Sequence, residues 1–198
     1  MADIENRAKP ILLTMMAGER RTLSPDELRI VAEWAQLKAL CWHALRVSEG
    51  TEPALKEETY GRFHLSRPLD WAVNAVHVES ESPAEIDLGF LHGVAQVNGN
   101  TSRFFRCSIR FDQLYLGVST TTEDDDLTTG AELADLVPYS HRIWPPPNGE
   151  VAPTLSWPPT RHQYTSLERR GILLGDPLAY AEMQDKGLVP RTNEIVVE

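Results

Sequence analysis

The amino-acid sequence predicts an α+β domain: an antiparallel sheet of about four or five strands packed against an N-terminal helical pair, with Pro-rich loops and a short C-terminal helix. Three observations lead there. Residues 25–47 place apolar side chains at helical spacing behind a complete N-terminal cap. Residues 71–120 alternate apolar and polar with period two, and Asn98-Gly99, a favoured hairpin dipeptide, separates two of the alternating runs.

Taken in order, Pro10–Ala17 reads as a short helix, with Pro10 in its first turn and Gly18 as the left-handed residue that ends it. The second helix has the stronger signal. Ser24 caps it, Pro25 opens it and Glu27 completes a Ser-x-x-Glu capping box. Leu28, Val31, Ala35, Ala39 and Trp42 form one apolar stripe, and Ile30, Trp34, Leu37, Cys41 and Leu45 a second. Only a narrow polar strip remains, of Arg29, Glu33, Gln36, His43 and Arg46, so the helix is expected to lie between layers.

Residues 48–69 read as irregular, with Gly50, Pro53, Gly61 and Pro68. Strands are predicted over Trp71–Glu79, Ile86–Val97, Phe104–Phe111 and Gln113–Thr120. In the third, Phe105, Cys107, Ile109 and Phe111 share one face and Arg106, Ser108 and Arg110 the other, which suits a sheet with one face covered by the helices. The second, apolar on both faces, suits a central strand; at an edge it would predict a homodimer through sheet pairing. Further on come the acidic run Glu123–Asp126 and short helical pieces at Gly130–Leu136, Ser166–Gly171 and Pro177–Lys186. Residues 1–190 are read as a single domain, and 191–198 as a mobile tail unless Ile195-Val196-Val197 docks.

Composition narrows the function classes. The chain has 198 residues, 41% of them hydrophobic, and a formal charge of −10. Residues 71–140 hold three arginines against eleven carboxylates, the opposite of a surface that displaces counterions from phosphates, so direct nucleic-acid binding is disfavoured. No apolar run approaches the roughly 18–20 residues that span a bilayer. Residues 1–7 lack the layout of a signal peptide, and a cytoplasmic location follows as the expectation. Cys41 and Cys107 are expected to be buried free thiols.

Motif chemistry is sparse. None of the six histidines forms His-x-x-x-His or His-Glu-x-x-His, there is no Cys-x-x-Cys, and Glu123–Asp126 lacks the spaced oxygens and glycine turn of a calcium loop. No catalytic residue, metal ligand or cofactor is assigned. Two Trp-Pro units, Trp144-Pro145-Pro146-Pro147 and Trp157-Pro158-Pro159, are flanked by His141-Arg142 and Arg161-His162. These six side chains, Trp144, Trp157, His141, Arg142, Arg161 and His162, are the candidate pocket for a small ligand or an extended peptide. The alternative is that each indole pins a polyproline-like loop to the sheet edge, and this structural role is the favoured one.

Several segments together form a recognisable pattern. They are Glu5-x-x-Ala8-Lys9-Pro10-Ile11-Leu12, Met16-x-Gly18, Leu23-Ser24-Pro25, Ala32-Glu33-Trp34-Ala35-x-x-Lys38-Ala39, Leu116-Gly117-Val118, Arg142-Ile143-Trp144-Pro145 and Trp157-Pro158-Pro159. The pattern resembles the C-terminal region of bacterial HNH-endonuclease-like proteins of uncharacterised function. In that family a Cys/His-bearing N-terminal segment ends in Cys-Asn-x-Gly-Trp-Met and runs into the first helix. Met1 falls where that methionine would lie, and no residue here matches the nuclease motif. The resemblance implies a non-catalytic accessory or interaction domain, with an HNH/zinc-bearing segment or another protein as partner. A metal-dependent nuclease whose catalytic half is encoded upstream is the alternative it leaves open.

Overall fold

The structure, a computed structural model, describes residues 2–51, 53–78, 86–97, 100–121, 140–146, 154–159, 177–187 and 195–196. The expected acidic run, the helical pieces at Gly130–Leu136 and Ser166–Gly171, and the Asn98-Gly99 turn lie outside these residues.

The architecture is α+β. Helix α1 covers Ala2–Met16 and α2 Pro25–Ser48, with strand β1, Arg21–Leu23, between them. Helix α3, Glu58–Leu65, precedes β2, Ala72–His77. Then come β3, Ile86–Val97, β4, Asn100–Phe111, and β5, Leu114–Thr121. Short elements complete the order: β6, His141–Trp144, β7, Leu155–Trp157, α4, Pro177–Asp185, and β8, Ile195–Val196. One sheet runs β6-β2-β5-β4-β3-β8 and is antiparallel throughout. A separate antiparallel ribbon pairs β1 with β7. The sheet is wider than expected because the short strands β6 and β8 join its two edges. Ile195 and Val196 pair with Ala95 and Val94, at the triplet whose docking the sequence reading left open. This pairing satisfies backbone groups of β3 that would otherwise form an open edge.

The first helix starts eight residues before the expected position, and Pro10 lies inside it. An interior proline costs about 3 kcal/mol through its missing donor and its ring clash. Against that, Ile4, Ile11, Leu12 and Met15 are all buried, each worth about 1.5–3 kcal/mol. Packing wins. Gly18 ends the segment at φ +63°, where an added Cβ would collide with the Gln113 side chain and stand 3.1 Å from His77 Nε2.

The α2 cap forms as the sequence demands. Glu27 N–H donates to Ser24 Oγ at 3.3 Å, and Ser24 N–H to Glu27 Oε2 at 2.9 Å. This backbone hydrogen bond, helped by Arg21, holds the Glu27 carboxyl below its usual range. The apolar stripes of α2 and the inner residues of α1 close over Val73, Ala75, Phe105, Cys107, Ile109, Leu116 and Val118 of the sheet.

Two expectations about α2 are overturned. Cys41 is exposed, whereas Cys107 is buried and its thiol is pushed up to about 12 by desolvation. Three of the five residues of the polar strip, by contrast, are inside: Glu33 is 3%, Gln36 0% and His43 1% exposed, while Arg29 is exposed and Arg46 half-buried. Gln36 Nε2 donates to the carbonyls of Leu69 at 2.9 Å and Trp71 at 3.3 Å, and its Oε1 accepts from Leu69 N–H at 2.7 Å. His43 Nε2 accepts from the N–H groups of Ala54 at 3.1 Å and Leu55 at 3.2 Å. Its Nδ1 therefore carries the ring proton and faces Tyr60 Oη at 2.5 Å. The segment expected to be irregular thus contains α3 and is tied to α2 along its length.

The sheet face away from the helices is buried too, contrary to a one-sided sheet. Tyr115, Val76, Asn74, Ser108, Arg110 and Ser119 all lie at or below 4% exposure. Tyr115 Oη takes a hydrogen bond from Arg106 Nη2 at 3.0 Å and shares one with Ser108 Oγ at 2.8 Å. Gly117 makes room for that ring, since a Cβ there would lie 3.3 Å from Tyr115 Cε1 and Oη.

Two outcomes test this packing. Gln36→Ala is expected to lower the free energy of unfolding by about 2–4 kcal/mol, because buried backbone groups lose their partner. In urea titrations the volume-conserving Gln36→Leu loses nearly as much, showing that pairing rather than bulk is at stake. A thiol titration of native protein is expected to count one reactive cysteine, Cys41, and a second only after unfolding.

Candidate functional site

Strand β6 carries three of the six residues singled out from sequence. Pairing with β2 places His141 opposite Ala75, Arg142 opposite Asn74 and Trp144 opposite Val73. The half-buried Trp144 donates from Nε1 to the Leu69 carbonyl at 2.7 Å. Trp157 belongs to the other sheet, is 1% exposed, and donates from Nε1 to the Met15 carbonyl at 3.0 Å. Its ring meets His77 edge-on at 5.9 Å between centroids. The Trp144–Pro145 and Trp157–Pro158 peptides are cis. The two indoles thus grip different carbonyls, one at the entry to β2 and one at the end of α1. Arg161 and His162 lie outside the described residues.

A second constellation lies at the N-terminal helices, where no single segment announces it. A cleft of about 740 Å³ opens between α1, α2 and the end of α3. At its floor Glu33, nearly fully buried, is clamped by two guanidinium groups. Arg7 Nη2 stands 3.2 and 3.1 Å from its two carboxylate oxygens, and Arg67 Nε stands 2.8 Å from Oε1. Arg7 also bonds Asp3 one turn earlier at 3.2 Å, and Arg29 Nη2 donates to the Arg67 carbonyl at 3.4 Å. The remaining lining comes from His64, Leu65 and Ser66 at the end of α3.

Local rules explain part of this arrangement. Asp3–Arg7 is an i,i+4 pair on a helix face, with the acidic member in the favourable first turn. Arg29 and Glu33 have the same spacing on α2. The clamp itself joins residues 26 and 34 positions away from Glu33, so it has no local signature. Glu33 is buried while Arg7 and Arg67 keep a third or more of their side chains in water, so the carboxylate is desolvated and its partners are not. The readable hint was a carboxylate in a helix apolar around most of its circumference.

The cleft gathers hydrogen-bond donors. Arg7, Arg29 and Arg67 bring planar donor groups to one concavity, and Arg67 Nη1 and Nη2 hold no hydrogen bond among the described residues. Ser66 and His64 add a hydroxyl and an imidazole to the lining. Among the described residues no group of three His, Cys, Asp or Glu is placed to hold a metal ion, and no helix is long and apolar enough to cross a membrane. No protein-family model matches the chain, and neither does any curated protein or solved structure.

Burial lowers the His141 imidazole below the ordinary histidine value of 6.5. The unfolded chain then binds this proton more readily than the folded one. The associated stability is complete above pH 6.5 and is lost as pH falls through the lowered folded value. We expect His141→Gln to flatten the acid side of the stability profile relative to the parent, as read from denaturation midpoints across that range.

Proposed function

We propose that this chain is a non-catalytic accessory or interaction domain, related to the C-terminal part of HNH-endonuclease-like proteins, and that its contact surface is the arginine cleft. The observation that carries the reading is the clamp on Glu33. A buried carboxylate holds the Arg7 and Arg67 side chains in place before any ligand arrives, which reduces the ordering cost of binding. The lining offers donors and shape without an activated nucleophile. The anchoring bonds of Trp144 and Trp157 support a structural role for the Trp-Pro loops. The negative charge of the chain argues against a nucleic-acid backbone as the partner.

The test is an activity assay on the purified chain. Supercoiled plasmid incubated with magnesium, manganese or zinc is expected to stay intact. Conversion to nicked or linear DNA that disappears on substitution of a residue in this chain would overturn the reading.

A further inference from the structure

We infer that the cleft between α1, α2 and α3 binds a carboxylate attached to an apolar body. This deepens the interaction-domain reading and rests on it for the identity of the site. Three features set the ligand class. The first is charge: three guanidinium groups face two carboxylates, Asp3 and Glu33, leaving one net positive charge before His64 is counted. That balance suits a monoanion, whereas a second negative charge would meet Asp3 at the mouth and Glu33 at the floor. The second is shape: Glu33 shows that guanidinium groups in this cleft already grip a planar carboxylate, through Arg7 Nη2 and Arg67 Nε. The unspent edge of Arg67, with Arg29 beside its carbonyl, offers the same recognition to a ligand.

The third feature is Leu65, which lines the cleft and is 83% exposed, the most exposed large apolar side chain among the described residues. A ligand whose carboxylate meets Arg67 can lay an apolar group on it and remove both surfaces from water. Two sources present this chemistry: a free short-chain acid, and the C-terminal apolar residue of a peptide.

Both sources can be compared by titrating isotopically labelled protein with 4-methylpentanoate, N-acetyl-leucine and N-acetyl-leucinamide, and with inorganic phosphate. Amide and arginine side-chain resonances are the readout. Saturable shifts at residues 64–67 with either acid, and none with the amide, are expected. Tighter binding of 4-methylpentanoate identifies a free acid, and tighter binding of N-acetyl-leucine a peptide C-terminus. Arg29→Gln, at an exposed position outside the Glu33 clamp, is expected to weaken the better acid about tenfold, the effect of one charge-assisted contact. Leu65→Ser is expected to weaken both acids while leaving the spectrum of the free protein folded. Equal response to the amide, phosphate binding as tightly as the acids, or no saturable shift at residues 64–67 would each overturn the inference. Plasmid cleavage would instead overturn the interaction-domain reading and leave the titration result standing.

Discussion

The face of α2 that carries Glu33, Gln36 and His43 holds the rest of the chain in register. These residues follow one helical stripe, and each reaches a different stretch of the connection between α2 and the sheet. His43 takes the amides of Ala54 and Leu55 and faces Tyr60. Gln36 pairs with both backbone groups of Leu69 and with the Trp71 carbonyl, as a neighbouring strand would. Glu33 takes Arg67 from the same connection and Arg7 from α1. Unpartnered, each of these polar groups would cost about 1–3 kcal/mol or more when buried. The partners therefore determine where some twenty residues of connection must lie, and through Leu69 and Trp71 where β2 begins.

The candidate site follows from that constraint. Because Glu33 must be compensated, Arg7 and Arg67 converge on it. Because Arg67 lies just past Ser66, the cap that ends α3, the end of α3 and the exposed Leu65 arrive at the same place. Candidate site and structural tether are thus one object. The same economy appears at Leu69, whose carbonyl accepts from Gln36 and from the Trp144 indole, so helix, sheet entry and edge strand meet at one backbone group. On the far face of the sheet Tyr115 and Ser108, hydrogen-bonded to each other and joined by Arg106 Nη2, are buried where a one-sided sheet would have met water.

The parts of the fold that local physics controls were legible in the sequence. Ser24 and Glu27 cap α2 because the orphan amides of a first turn need acceptors close in sequence. The strands from β2 to β5 follow from period-two alternation, and Gly18 from a backbone angle that other residues resist. The long α1 was hidden by Pro10, whose local cost is real and is outweighed only by side chains packed on α2. Cys41 and three polar residues of α2, Glu33, Gln36 and His43, were assigned to the wrong sides, because helical periodicity counts apolar residues and cannot weigh a polar group that has a partner. Of the candidate site, the Trp-Pro units were visible as motifs, and the structure places Trp144 and Trp157 as anchors to separate carbonyls. The arginine cleft was not visible, since its defining pairs span 26 and 34 residues.

By itself, the sequence determined the class of fold, the cap and extent of α2, the four central strands and the acidic balance. All of these rest on interactions within a few residues or on composition. Tertiary structure alone decided which polar side chains of α2 face inward, that the connection folds into α3 and a tethered loop, and that Arg7, Glu33 and Arg67 meet in one cleft. The physical reason is that a polar side chain carries no intrinsic address. Water and a distant backbone amide satisfy it almost equally, and only the folded chain brings the second within reach.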